Sequence, residues 1–188
     1  IKEAKENFHD FNIITGAVDY LNMHQPGEPC VYKNSIGQWK FFFELNKIDV
    51  IIHNAAVVNT EVVGMNLTRA TRTNDEGTYK ICVAAQKCDI PVCYMGTTVI
   101  YDAFKYQNEK ITEKSDFGPH TLYGCQKLAA EYIVKSHAPK WMIIRPLFAY
   151  GGEGDMNSLI AKSMYASLTD KQVEMRLDPL KFKDYMHV

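Results

Sequence analysis

The apolar residues of this chain come in short runs separated by longer amphipathic stretches. Phe11–Thr15 (FNIIT) is such a run, stopped by Gly16, and reads as a strand. Asp49–His53 (DVIIH) and Trp141–Ile144 (WMII) are continuous runs, the pattern of strands buried on both faces. Pro91–Met95 (PVCYM), closed by Gly96, is a further strand. Asp75–Lys87 carries Tyr79, Ile81, Cys82, Val83, Ala84 and Ala85 and suits an amphipathic helix that starts near Asn74, where that side chain could act as an N-cap. Leu122–Ser136 is the strongest helix, with Leu128, Ala129, Tyr132 and Ile133 on one stripe. Shorter helices are expected at Gln38–Asn46 and Asn157–Leu168, and a short strand at Val173–Arg176. Ala103–His120 is polar and aromatic, an excursion over the surface.

Strands alternating with helices predict βαβ units and a parallel sheet, an α/β fold. Ligands of such sheets bind at the carboxyl ends of the strands. The positions to inspect are therefore Gly16–Asp19, Asn54–Ala56, Gly96–Thr98 and Pro146–Phe148.

Composition narrows the classes. The 188 residues are 46% hydrophobic and 23% charged, as in a globular chain, and 21 basic against 22 acidic residues leave a net charge of −1. A nucleic-acid binder usually shows a basic excess, and none is present. No apolar run approaches a membrane span, and Ile1–Asp10 has no apolar signal-peptide core. Five cysteines without a CxxC pair argue against a disulfide framework or a zinc ribbon, and for buried or inert thiols in a reducing, cytoplasmic compartment. Six scattered histidines give no metal-ligand spacing.

Candidate chemistry begins with Tyr-x-x-x-Lys. With 11 Tyr and about 9% Lys, about one match is expected by chance; three occur, at Tyr101/Lys105, Tyr106/Lys110 and Tyr123/Lys127. Only the last lies in a strong helix, where positions i and i+4 share a face. The other two fall in the polar excursion and read as solvated. A phenol is a poor base at neutral pH, and a nearby ammonium lowers its pKa so that it can move a proton on or off a hydroxyl. Thr97 and Thr98 follow a strand and could hydrogen-bond a substrate oxygen beside that phenol.

Six blocks then stand in a specific order: DVIIHNAA (Asp49–Ala56), NDEGTYKICVAA (Asn74–Ala85), MGTTVIYD (Met95–Asp102), LYGCQKLAAEYIV (Leu122–Val134), IIRPLFAYG (Ile143–Gly151) and KDYMHV (Lys183–Val188). In that order the chain resembles the NAD(P)-dependent epimerase/dehydratase family, the extended branch of the short-chain dehydrogenase/reductases. The resemblance implies a Rossmann-like, doubly wound parallel sheet over 1–150 and the start of a substrate-binding region over 151–188. It implies NAD or NADP as cofactor and a nucleotide sugar as substrate. Tyr123 matches the catalytic acid/base, Lys127 the lysine that holds the nicotinamide ribose, and Thr97 the catalytic hydroxyl. Val18, Ala55, Ala56, Asn74, Pro146 and Leu147 match positions lining the cofactor, together with Tyr123 and Lys127. Thr98, Phe148 and Asp184 match the substrate side. The resemblance also implies a homodimer through the Asn74–Lys87 and Leu122–Ser136 helices.

Departures from the family pattern refine this. The family's opening strand and Gly-x-x-Gly-x-x-Gly loop have no counterpart before Phe11, and the chain stops early in the substrate lobe. It is expected to lack the first βαβ unit and most of that lobe, and as given to bind dinucleotide poorly. Gly16 is followed by Ala17 rather than the usual Asp. Thr98 and Val99 stand where nucleotide-sugar dehydratases carry Asp-Glu, which argues against dehydration. Phe148 replaces a frequent Asn. The expected activity is nucleotide-sugar epimerisation, with 4-keto reduction as its close alternative and a non-catalytic nucleotide-binding scaffold as the third.

Overall fold

The computed structural model describes residues 35–58, 66–106, 109–150, 159–169 and 185–187. The expected strands at Phe11–Thr15 and Val173–Arg176 and the candidates Val18 and Asp184 lie outside the described residues. Helix α1 (Ile36–Leu45) leads to strand β1 (Ile51–His53), and helix α2 (Leu67–Thr71) follows. A π-helical turn over Arg72–Glu76 then runs directly into α3 (Gly77–Cys88). Strand β2 (Val92–Met95), a 3₁₀ turn (Thr98–Ile100), helix α4 (Leu122–His137) and strand β3 (Trp141–Ile144) come next. Strand β4 (Phe148–Tyr150), helix α5 (Leu159–Thr169) and strand β5 (Tyr185–His187) complete the order. None of the described helices is long and apolar enough to cross a membrane.

The sheet is parallel, as the alternation predicts. β1 pairs with β2 and β2 with β3, each across a helical crossover, and β4 pairs in parallel with β5 in a separate two-stranded sheet. Parallel register puts paired residues on one face. His53, Tyr94 and Ile143 therefore line one face, and Ile52, Cys93 and Met142 the other.

The first of these faces carries the core. α1 packs on α3, and α3 on α4. Trp39, Phe42 and Phe43 of α1 meet Ile51, Ile81, Ala84, Ala85, Ile90 and Val92, while Cys82, Tyr94, Ala130 and Val134 form a second cluster beneath α4. On the other face Ile52 is 71% and Met142 59% exposed. The expectation that β1 and β3 are buried on both faces is thus not met among the described residues, because these three helices share one side.

α4 corrects another expectation. The stripe Leu128, Ala129, Tyr132 and Ile133 is not the buried face: Ala129 is exposed and Tyr132 is 55% exposed. The residues turned inward are Gly124, Gln126, Lys127, Ala130, Glu131 and Val134. Three of these are polar, so apolar periodicity picked the wrong side of the helix. Polar partners waiting in the interior explain how that face is buried.

α1 and α3 stop in the same way. The N–H of Lys47 bonds to Glu44 O and that of Ile48 to Phe43 O; likewise Asp89 bonds to Gln86 O and Ile90 to Ala85 O. Both are Schellman closures, with Lys47 (φ 49°) and Asp89 (φ 54°) in the left-handed position that favours glycine. Each closure sends the following isoleucine into the main cluster. Replacing Lys47 by Gly relieves the left-handed strain without moving Ile48. Urea unfolding of the variant is expected to show a gain of about 1 kcal/mol.

Candidate functional site

The expected site residues converge at the carboxyl ends of β1 and β2. Two glycines let α4 come close there. A Cβ on Gly124 would stand 2.9 Å from Val99 O, so the first turn of α4 rests on the 3₁₀ turn. A Cβ on Gly96 would stand 2.8 Å from Glu131 Oε1 and 3.1 Å from Ile144 O, so the strand end is closed in by α4 and β3. Thr121 caps α4 by accepting from Gly124 N, which fixes where the helix begins.

Lys127 is 3% exposed. Its amine donates to Met95 O and sits 4.2 Å above the Tyr94 ring. Burial brings its pKa down to about 8, opposed by Glu131, so it is mostly charged at neutral pH. Tyr123, one turn earlier, is half-buried and packs against Val57 and Ala70. Its phenol is pushed up, not down, and burial is the cause. The expectation that Lys127 depresses this phenol is corrected: the ammonium is turned to the Met95 carbonyl and the Tyr94 ring.

Thr97 ends the extended backbone after β2 and caps the 3₁₀ turn, its hydroxyl accepting from Val99 N at 3.4 Å. Thr98 is half-buried in that turn. Ala55 and Ala56 are half-buried just beyond β1, and Pro146 and Leu147 follow β3, with Leu147 the more exposed. Phe148 opens β4.

Asn74 is not a helix cap. It sits inside the π turn, 1% exposed, and its amide clasps a neighbouring backbone. Oδ1 accepts from Val57 N at 2.8 Å, and Nδ2 donates to Val57 O at 3.1 Å and to Gln126 Oε1 at 2.9 Å. Gln126 in turn donates to Thr71 Oγ1 at 3.2 Å. One buried amide pair thus ties the segment after β1 to the π turn and to α4. The helix also begins earlier than Asp75, because it continues from α2 through the π turn. Such turns are common at functional sites.

Behind the site lies a buried histidine. Thr78 Oγ1 donates its proton to Asn74 O at 2.6 Å, so at the 2.9 Å contact His53 Nε2–H is the donor. Burial and the charge of Lys127 bring His53 down to about 3, and its neutral ring packs on Tyr94.

Three residues of the site were not singled out from sequence: Glu131, Arg145 and Tyr101. Tyr101 was read as solvated, but it is 4% exposed, and its hydroxyl accepts from Arg145 Nη1 at 2.7 Å. The signal available was Glu131 one turn after Lys127 and Arg145 just ahead of Pro146. Lys105 is exposed and pairs with Asp116. Of the thiols, Cys82 is buried and pushed up to about 12 by burial, whereas Cys125 is exposed. Among the described residues no group of three or more His, Cys, Asp or Glu side chains is placed to hold a metal ion.

His53 makes the fold pH-sensitive. Its pKa is about 3 when folded and near 6.5 when unfolded, so between those values the unfolded chain holds the extra proton. The His53 contribution to stability is therefore complete above pH 6.5 and falls as pH drops toward 3, by up to about 1.4 kcal/mol per pH unit, while Asp75, raised to about 6 by burial, acts in the opposite sense below pH 6. Chemical denaturation of wild type and His53→Gln across this window is expected to show that slope in their difference.

The sequence matches the model of the NAD dependent epimerase/dehydratase family over residues 32–188. A probable low-salt glycan biosynthesis reductase of Haloferax volcanii is 25% identical over 65% of this chain and 40% of its own length. A dTDP-4-dehydrorhamnose reductase of Sinorhizobium fredii is 25% identical over 70% of this chain and 43% of its own. The chain thus spans less than half the length of these curated relatives. In fold it is similar to a UDP-N-acetylglucosamine 4-epimerase of Methanobrevibacter ruminantium, with a TM-score of 0.74 and 18% identity over 92% of this chain and 60% of that one. With its parallel sheet, its helical crossovers and a match over most of its length, the chain belongs to the NAD-dependent epimerase/dehydratase family.

Proposed function

We propose that this chain is the catalytic part of an NAD(P)-dependent enzyme that reduces the keto group of a nucleotide sugar. The observation that supports the reading is the seating of α4, which carries Tyr123 and Lys127, on the turn after β2 that begins at Thr97. Reduction is favoured over epimerisation because the two curated relatives above carry reductase names.

The described residues fit the nicotinamide half of the cofactor. Lys127 offers a buried ammonium at the end of β2, and the small side chains of Ala55 and Ala56 leave room at the end of β1. Pro146 and Leu147 would border it from the end of β3, with Asn74 behind. When bound, NAD(P)H supplies the hydride for the carbonyl carbon. Tyr123 gives its phenolic proton to the carbonyl oxygen, and Thr97 hydrogen-bonds that oxygen. Lys127 holds the ribose of the nicotinamide. Thr98 and Phe148 stand on the sugar side.

Epimerisation is the second reading, supported by the sugar-epimerase-like context from Thr97 to Tyr101. It uses the same three residues, first as base and then as acid. The two readings differ in stoichiometry: a reductase consumes one NAD(P)H per product, and an epimerase none. In the full chain, Tyr123→Phe is expected to lower kcat at least about 100-fold while cofactor affinity stays within about threefold. NAD(P)H oxidation with a 4-keto nucleotide sugar, and titration of cofactor fluorescence, measure the two. Undiminished turnover in Tyr123→Phe would remove Tyr123 from the chemistry, and a wild-type chain that binds cofactor without turnover would leave the scaffold reading.

The reading includes a homodimer through α3 and α4. Tyr79, Leu122 and Tyr132 are large, exposed and on these helices. Tyr132→Glu is expected to shift sedimentation of the full chain from dimer to monomer.

A further inference from the structure

Two charged side chains, Lys127 and Glu131, are buried together near the end of β2 with the half-buried Arg145 beside them, and only Lys127 has a part in the chemistry above. Glu131, one turn further along α4, is 0% exposed. Arg145 reaches it from the end of β3 with two bonds, Nε to Oε1 at 2.9 Å and Nη2 to Oε2 at 2.6 Å. The remaining guanidinium nitrogen donates to the Tyr101 hydroxyl at 2.7 Å. The guanidinium carbon lies 5.4 Å from the Tyr101 ring centroid and 5.1 Å from that of Phe117. A two-pronged bond to a planar cation fixes direction as well as distance. Arg145 therefore locks α4, the end of the 3₁₀ turn and the Phe117 segment to one another.

The carboxylate also presses on the backbone of the site. Oε1 lies where a Cβ on Gly96 would collide with it, and Gly96 N donates to Ile144 O at 2.6 Å. The preceding carbonyl, Met95 O, is the acceptor of Lys127. The Met95–Gly96 peptide is thus held at its carbonyl by Lys127 of α4 and at its N–H by Ile144 of β3, with the Glu131 carboxylate, one turn along α4 from Lys127, packed against Gly96. Thr97 is the next residue.

We infer that Glu131 and Arg145, completed by Tyr101, are positioning residues that set the register of α4 on the end of β2. They thereby place the Lys127 ammonium and the Thr97 hydroxyl relative to each other. This rests on the reading of Lys127 and Thr97 as site residues. The titratable and charged groups around Lys127 are Tyr123 and Glu131 on its own helix, His53 of β1 and Tyr94 of β2. Beyond them stand Asp75 of the π turn and Arg145. Glu131 is the one that opposes the loss of charge caused by burial.

The test reads Lys127 directly. NMR of the full chain carrying ¹³C at lysine Cε follows the amine with or without turnover, and Lys127→Arg identifies its signal. Glu131→Gln keeps an acceptor for Arg145 and removes the charge. The Lys127 midpoint is expected to fall by about one pH unit. In the same variant kcat is expected to fall about 10- to 100-fold, with KM for the nucleotide sugar within about threefold. Tyr101→Phe keeps the ring and removes one partner of Arg145; it should move the midpoint the same way by about 0.3 unit, and it supplies the reading if Glu131→Gln does not fold. An unchanged Lys127 midpoint and chemical shift in a folded variant overturn the inference. A wild-type chain that turns over no nucleotide sugar, with a midpoint that moves in Glu131→Gln, overturns the reductase reading and leaves the positioning role standing.

Discussion

A carboxylate taken fully out of water costs several kcal/mol unless a cation and further hydrogen bonds replace its hydration. Glu131 meets that demand through Arg145, and the rest of the site is arranged around the pair. The guanidinium comes from the end of β3, the carboxylate from α4, and the third partner, Tyr101, from the turn after β2. Gly96 must lack a side chain for them to meet. A helix, a strand end and a turn that are far apart in sequence are thereby held in one geometry. Lys127 bonds the Met95 carbonyl, and Thr97 follows two residues later.

The second constraint is the π turn. Its wider winding directs both Thr73 and Asn74 inward at the point where α2 passes into α3. Asn74 then satisfies both backbone groups of Val57, which would otherwise be buried without partners. Its own carbonyl receives the Thr78 hydroxyl, which receives His53 in turn. The end of β1 is held by this relay much as the end of β2 is held by the ion pair. The neutral histidine adds no second positive charge beneath Lys127. The Tyr94 ring between them offers its face to the ammonium.

Under the proposed reading, a hydride transfer to a carbonyl needs a proton donor and a hydroxyl for the substrate oxygen, which Tyr123 of α4 and Thr97 of the turn after β2 would supply. The curated relatives are more than twice as long as the stretch they share with this chain.

Much of this was legible in the sequence. Runs such as DVIIH and WMII, separated by helical stretches, identified the parallel sheet, because period and length are local properties. The six ordered blocks identified the family and, with it, Tyr123, Lys127 and Thr97. Three things were not legible there. The buried side of α4 carries Gln126, Lys127 and Glu131, so a search for an apolar stripe selected its exposed side. Asn74 looks like a helix start, because a π turn has no pattern of its own in composition or spacing. The partnership of Glu131 with Arg145 and Tyr101 spans distant positions, and only folding makes the burial of one charge depend on another. Local patterns determined the elements and the chemical groups; the tertiary structure decided which polar groups go inside, because that depends on partners the chain brings together only when folded.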